Sequence, residues 1–290
     1  KLYLGGQINK EFKCHIIKDG EVINIGKRNL KFLATPYLHW VDTMFTYVEE
    51  DQLLFTCDAF GTHYASTDVD AVDGEDYKES VKFYFDCIVK PFSKYVLNAI
   101  DKVVDLGLKF DTILTSHGPI LSKNPNYNIE KYLEWSNENI SFVNQNKASI
   151  FYLSAYTNTK QMALTMEDYL KNQGLKAQSY DLEKLELHEL HDIIVSSKVL
   201  LLGSPTINKS MVKPLWDLFS IIDPILNHGK IAGVFGSFGW SGEGITIAHN
   251  LVKSMNFKTP VEPLKKKFTP STITFEDCEE FAHAFVEFLK

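Results

Sequence analysis

Three polar residues stand where apolar runs stop. His39 lies in Thr35-Pro36-Tyr37-Leu38-His39-Trp40-Val41-Asp42, Asp58 closes Leu53-Leu54-Phe55-Thr56-Cys57-Asp58, and His117 lies in Thr115-Ser116-His117-Gly118-Pro119. Short β-prone runs of this kind read as strands, so all three side chains are expected at one edge of a sheet. Two imidazoles and a carboxylate suit iron, manganese or zinc, whereas calcium prefers oxygen ligands. A carboxylate has two oxygens and can bridge two such cations. A histidine after a strand also serves as a cap or a packing residue, and Asp58 before Ala59-Phe60-Gly61 also fits a turn. Spacing alone leaves both readings open.

A second set of residues is made of small, hydroxyl and amide side chains. The apolar run 148–153 leads into Ser154-Ala155-Tyr156-Thr157-Asn158-Thr159, after which a helical pattern begins. Backbone N–H groups at that helix start, with the Ser154, Thr157 and Thr159 hydroxyls around them, would cradle a phosphate. No G-x-x-x-x-G-K-[ST] occurs there, so the expected guest is a monophosphate held by neutral donors. Gly203-Ser204-Pro205-Thr206-Ile207-Asn208 and Gly236-Ser237-Phe238-Gly239-Trp240-Ser241-Gly242 follow two further apolar runs. Small residues let backbone approach a planar ring, and Tyr156, Phe238 or Trp240 would cover a ring face by stacking.

The elements that must position these groups fall into two halves. Residues 1–60 read as short strands, with Asp19-Gly20 as a hairpin turn between 14–17 and 22–25. Strands are expected at 30–35, 44–48 and 53–56, with Glu49-Glu50-Asp51 as a charged turn. Residues 74–106 read as one long helix or two shorter ones, Pro91 being able to open the second. A strand at 112–115, a helix at 129–143 and a polar hinge, Asn144-Gln145-Asn146-Lys147, follow. From 148 onward strands (150–154, 177–180, 199–203, 231–236 and a weak one near 260–264) alternate with helices (159–172, 187–196, 211–222, 244–255, 275–289). Five β/α units predict a doubly wound parallel sheet, with the three polar loops at the carboxyl ends of its strands. The expected domains are 1–143 and 148–290.

The totals narrow the function classes. A chain of 290 residues points to two domains, and 44% apolar with 23% charged residues is ordinary for a soluble protein. A net charge of −7 and the lack of a recurring Lys/Arg stripe argue against a nucleic-acid partner. Lys265-Lys266-Lys267 is the one basic run and reads as a solvated loop. No apolar run reaches the ~18–20 residues of a membrane span. Cys14, Cys57, Cys87 and Cys278 are scattered, which excludes a disulfide framework and a rubredoxin module and suits a reducing, cytoplasmic setting. Lys1-Leu2-Tyr3-Leu4 has neither an initiator Met nor a signal-peptide pattern. The sequence begins as though in mid-domain.

The second half resembles the flavodoxin family: Ser154 to Thr159 is similar to its phosphate loop, Ser204-Pro205-Thr206 to its second flavin loop, and 236–242 to its third. The resemblance implies FMN, with the phosphate on the first loop and the ring between the other two. The flavin-binding residues would then be Ser154, Ala155, Tyr156, Thr157, Asn158, Thr159, Ser204, Pro205, Thr206, Ile207, Asn208, Ser237, Phe238, Gly239, Trp240 and Gly242. The family's first loop usually has a Gly where this chain has Thr157.

The order His39, Asp58 and His117, with spacings of 19 and 59 residues, resembles the metallo-β-lactamase fold. More closely, Leu38-His39-Trp40-Val41-Asp42-Thr43-Met44-Phe45-Thr46-Tyr47, Cys57-Asp58-Ala59-Phe60-Gly61 and Ser116-His117-Gly118-Pro119 resemble the flavodiiron proteins, which join such a domain to a flavodoxin domain in this order. The implied fold is α/β: the C-terminal part of a metallo-β-lactamase-like αββα sandwich, then a flavodoxin-like five-stranded parallel sheet. The implied function is reduction of O2 to water, NO to N2O, or both, at two non-haem irons fed by FMN. Rubredoxin or a flavoprotein reductase would be the donor, and the assembly a head-to-tail homodimer. The family's upstream His-x-Glu-x-Asp-His segment does not occur here, so His39, Asp58 and His117 are about half of the implied ligand set. The first part of that domain is therefore expected to lie outside this sequence. A zinc hydrolase of the metallo-β-lactamase class would leave the flavin loops idle; the other alternative is an FMN electron carrier without a working metal site, whose first half is a degenerate docking domain.

Overall fold

Alternating burial along the first strands builds a five-stranded sheet whose order follows the chain: β1 (Val22–Asn24), β2 (Asn29–Ala34), β3 (Met44–Val48), β4 (Leu53–Cys57) and β5 (Thr112–Thr115). The structure is a computed structural model that describes residues 13–71, 73–143, 145–268 and 271–290. It contains two compact units, Lys1–Ile140 and Ser141–Lys290. In the first, β1 to β4 pair antiparallel and β5 lies parallel to β4. Strands β2, β4 and β5 therefore run in one direction, and their carboxyl ends share one edge. That topology delivers the segments bearing His39, Asp58 and His117 to the same side.

One face of this sheet is dry. Leu33, Phe45, Tyr47, Leu54 and Ile113 pack against Val81, Tyr84, Phe85, Val96 and Tyr132. The helical side chains come from α1 (Glu75–Tyr84), α2 (Ser93–Asp105), α3 (Pro125–Val143) and the connection between the first two. The other face carries Leu30, Phe32, Leu53 and the exposed Phe55. The described residues thus supply one sheet and one helical layer of a sandwich.

Two local expectations change. The β1–β2 turn is Ile25-Gly26-Lys27-Arg28, closed by the Ile25 N–H on the Arg28 carbonyl at 2.9 Å, and residues 14–17 form no strand. Asp19 is occupied otherwise: its carboxylate accepts from the Ala34 N–H at 2.8 Å and the Lys102 ammonium at 2.6 Å. The Asp-Gly turn docks on the end of β2 instead of closing a ladder. Between α1 and α2, a π-helical turn (Phe85–Val89) and a 3-10 turn (Lys90–Phe92) interrupt the helix. Pro91 lacks the N–H an α-helix requires there and its ring crowds the preceding turn.

The second unit holds β6 (Lys147–Tyr152), β7 (Lys176–Asp181), β8 (Val199–Gly203), β9 (Ile231–Phe238) and β10 (Leu264–Lys267), all parallel, in the order β10-β9-β8-β6-β7. Its helices are α4 (Asn158–Asn172), α5 (Leu187–Ser196), α6 (Lys213–Ser220), α7 (Glu243–Ser254) and α8 (Thr272–Leu289). Successive strand residues alternate between two cores. Ile150 and Leu201 meet Met162, Met166, Phe281 and Phe285 from α4 and α8, while Phe151, Leu200 and Leu202 meet Ile194, Leu215 and Ile245 from α5, α6 and α7. Burial on both faces is what a doubly wound parallel sheet requires.

The lysine run is not a solvated loop. Lys265 to Lys267 lie in the edge strand β10, where Lys266 pairs with Asp277 and Lys265 donates to Thr246. Lysines on an edge strand keep it from pairing with another chain. Strand β9 runs on to Phe238, so Ser237 and Phe238 close a strand instead of opening a loop. Lys147 belongs to β6, while Asn144 lies outside the described residues. No described helix is long and apolar enough to cross a membrane.

Candidate functional site

Asp58 stands between the two histidines. Its Oδ2 lies 3.4 Å from His39 Nε2, and its Oδ1 lies 3.4 Å from His117 Nε2. Two donors bound to one cation through bonds of about 2.1 Å are roughly 3.0–3.4 Å apart, so each pair has the spacing of ligands sharing a metal. Because the imidazoles face different oxygens, the three residues fit two cations bridged by the carboxylate. Among the described residues no three His, Cys, Asp or Glu side chains converge on a single position. Each position thus receives two donors from this set.

The loops are held tightly. The His117 carbonyl accepts from Thr115 Oγ1 at 2.8 Å and from the Thr62 N–H at 3.2 Å. Gly118 has φ +92°, and a Cβ there would sit 2.6 Å from the Thr62 carbonyl oxygen. Only glycine fits that approach. Two neighbours escaped sequence reasoning. The His63 ring is edge-on to Tyr84 at 4.9 Å and to His117 at 5.1 Å. Burial, and to a lesser degree the charge of Asp58, push the Tyr84 phenol up to about 12. Tyr84 reads as a core residue of a helix, and nothing linear links it to His117.

At the second unit's carboxyl edge the three polar segments are tied together. Thr159 is buried and its hydroxyl shares a hydrogen bond with Ser237 Oγ at 3.1 Å. The Thr206 N–H donates to the Ser237 carbonyl at 3.2 Å. Ser204 is fully buried, its Oγ donating to the Pro205 carbonyl and accepting from the Val212 N–H. A Cβ on Gly236 would lie 1.9 Å from the Ser204 carbonyl oxygen, so β8 and β9 approach here only because that residue is glycine.

The first segment offers donors to an anion. Thr157 adopts the left-handed conformation, φ +63°, at the start of α4, and no side chain caps the helix at that position. Ser154 Oγ accepts from the Lys160 N–H at 3.1 Å instead. The backbone N–H groups of residues 155–159 have no protein acceptor among the described residues. Such a row at a helix N-terminus is a phosphate cradle. Thr206 Oγ1 is buried without a partner, as an atom awaiting a ligand would be. Tyr156 and Trp240 are both 85% exposed and available to a ring, whereas Phe238 is half-buried and packs against the core on the α7 side of the sheet. Asn158 reaches the Phe268 carbonyl at 3.4 Å, and Ile207 exchanges hydrogen bonds with Ser210 around Asn208. A Cβ on Gly239 would meet nothing within 4 Å, and one on Gly242 would meet the Phe238 ring at 3.2 Å. The residues present fit a flavin monophosphate.

Comparison with known proteins agrees with both halves. Residues 4–118 match the ODP family beta lactamase model and residues 150–281 the flavodoxin model. The flavo-diiron protein FprA2 of Clostridium acetobutylicum is 34% identical over 296 residues, covering 99% of this chain and 73% of that protein. The chain belongs to the flavodiiron family. The type A flavoprotein fprA of Rhodobacter capsulatus is 31% identical over 97% of this chain, and the match spans 66% of its length. The anaerobic nitric oxide reductase flavorubredoxin of Vibrio vulnificus is 32% identical over 96% of this chain and 56% of its own. Among solved structures, the rubredoxin oxygen:oxidoreductase of Desulfovibrio gigas superposes with a TM-score of 0.54 at 25% identity, covering 99% of this chain and 72% of that one. The chain therefore spans between about half and three quarters of the length of these flavodiiron relatives.

Proposed function

We propose that this chain forms the flavin-binding and part of the di-iron machinery of an oxidoreductase that reduces O2 to water, NO to N2O, or both. Residues 1–143 are the di-iron domain and residues 148–290 the FMN domain in this reading. The observation that carries it is Asp58 presenting one oxygen to each of two histidines. The relatives named for nitric oxide and for oxygen support the pair of substrates.

His39 and His117 would each hold one non-haem iron, Asp58 would bridge the pair, and donors beyond these three would complete both shells. When bound, iron would supply the redox chemistry for the gas and FMN would supply the electrons. Tyr84 keeps its proton at neutral pH and so stays a hydrogen-bond donor near the site. The N–H groups of residues 155–159 would hold the FMN phosphate, and Thr206 with the segments 204–208 and 237–242 would flank the ring. Rubredoxin or a flavoprotein reductase is the expected donor, a head-to-tail homodimer the expected assembly, and the cytoplasm the expected location.

The test is iron per flavin, by elemental analysis against flavin absorbance, with gas consumption under a reducing donor. Near two irons per FMN is expected, and His117→Ala should lose iron and turnover while keeping flavin. Flavin without iron in the parent protein would leave only an electron carrier. Full turnover with iron retained in the variant would overturn the ligand assignment.

A further inference from the structure

The start edge of the second unit's sheet carries a row of lysines that no linear stretch displays. Lys147 pairs with Lys176 in the β6–β7 ladder. Pairing of Ala148 with Val199 sets Lys198 beside Lys147, and the Lys198 N–H donates to the Lys147 carbonyl at 2.9 Å. Pairing of Val199 with Ile231 sets Lys230 beside Lys198, and Ile231 in turn pairs with Lys258. Five lysines thus cross the edge opposite the flavin segments. Among the described residues none of the five lies within ion-pair distance of a carboxylate. Like charges within a Debye length of ~8–10 Å repel unless a counter-charge joins them.

Two of the five already have partners. The Lys230 amine donates to the carbonyls of Ile194, at 2.7 Å, and Val195, and Lys147 reaches Ser196 Oγ at 3.5 Å. Both serve the C-terminal turn of α5, the negative end of its dipole. Among the described residues the Lys198 and Lys258 ammonium groups have no such acceptor. With Lys230 and His228 they line a cavity of about 280 Å³ whose apolar walls include Leu226, Phe288 and Leu289. Lys258 Nζ hangs 6.0 Å from the centre of the Phe288 ring. Among the described residues no Asp or Glu lines this space. Asp223 is engaged by the N–H groups of Ile225 and Leu226, and Glu287 by Lys290 and His283.

We propose that this cavity binds a small organic anion. A phosphate or carboxylate head would sit on the Lys198 and Lys258 ammonium groups, and an aromatic or branched aliphatic body would lie against Leu226, Phe288 and Leu289. The volume is just under the ~300–1,000 Å³ of drug-sized pockets, which selects a compact ligand. Lys230 is nine-tenths buried and forms part of the same wall. The site is separate from the flavin cradle, which occupies the other end of the same strands.

The experiment is calorimetric titration of the flavin-loaded protein with phenyl phosphate, with inorganic phosphate in parallel. Saturable one-to-one binding of phenyl phosphate is expected, at least about tenfold tighter than inorganic phosphate. Lys198→Met with Lys258→Met should weaken it more than about tenfold without altering the flavin spectrum, which also reports that the variant is folded. Lys176→Met, at the same edge but outside the cavity, should leave it unchanged. Equal affinity for both phosphates would overturn the amphipathic assignment. An equal loss in the Lys176 variant, or no saturation by about 10 mM, would overturn the site.

Discussion

Replacing Gly236 with Ala tests whether the approach of β8 to β9 builds the flavin crevice. The added Cβ would lie 1.9 Å from the Ser204 carbonyl oxygen and 3.0 Å from Ile245 Cγ1. An ordinary C···O contact is about 3.3–3.6 Å, so the Ser204 peptide must retreat by roughly 1.5 Å. The residue is pinned by the Ser204 N–H on the Phe235 carbonyl at 3.1 Å, and two residues on the Thr206 N–H bonds the Ser237 carbonyl at 3.2 Å. Retreat breaks or stretches both bonds, at about 1 kcal/mol each, on top of about 1–3 kcal/mol of overpacking. A total near 3–5 kcal/mol should lower Tm by roughly 6–20 °C. Thr206 and the second flavin segment move with Ser204, so FMN affinity should fall at least tenfold, or about 1.4 kcal/mol. The assays are thermal denaturation by circular dichroism and quenching of FMN fluorescence on titration into apoprotein. Gly239→Ala is the stability control, because its Cβ meets nothing within 4 Å. A Gly236→Ala protein that melts with the parent and binds FMN within about threefold of it would refute the reasoning.

Gly118→Ala should act on the other unit, since its Cβ would lie 2.6 Å from the Thr62 carbonyl oxygen at φ +92°. We expect the His117 loop to shift and iron per flavin to drop with FMN unchanged; full iron content would show that the loop tolerates the strain of about 1–2 kcal/mol. Lys230 gives a pH test, because burial depresses its amine to about 7. Between about pH 7 and 10.4 the unfolded chain holds a proton that the folded chain has released, so stability should rise with pH by at most about 1.4 kcal/mol per unit. Below 7 both states hold the proton and this contribution to the slope vanishes. Lys230→Met should flatten the rise in urea melts at pH 7, 8.5 and 10 while costing about 1–3 kcal/mol for the orphaned Ile194 and Val195 carbonyls. An unchanged slope would refute the assignment.

What the chain displays linearly is what local chemistry specifies. Strand β3 at Met44–Val48, strand β5 at Thr112–Thr115, strand β8 at Val199–Gly203 and helix α5 at Leu187–Ser196 fall where apolar periodicity puts them. The small-residue segments after β6, β8 and β9, and the polar residues that stop β2, β4 and β5, are also legible, because strand ends and helix starts are written by neighbouring residues. Pairing is not local. The Asp19-Gly20 turn carries a strong hairpin signal, yet Asp19 finds the Ala34 N–H and Lys102 across the chain and the ladder closes at Gly26. The link from Thr159 to Ser237, and the packing of His63 and Tyr84 around His117, likewise join residues with no common periodicity. The lysines show the difference most plainly. Lys147, Lys176, Lys198, Lys230 and Lys258 are scattered over 112 positions of a chain with net charge −7, and no stripe can be seen in them. Parallel register aligns the first residues of successive strands, and only the assembled sheet turns those separated charges into one row.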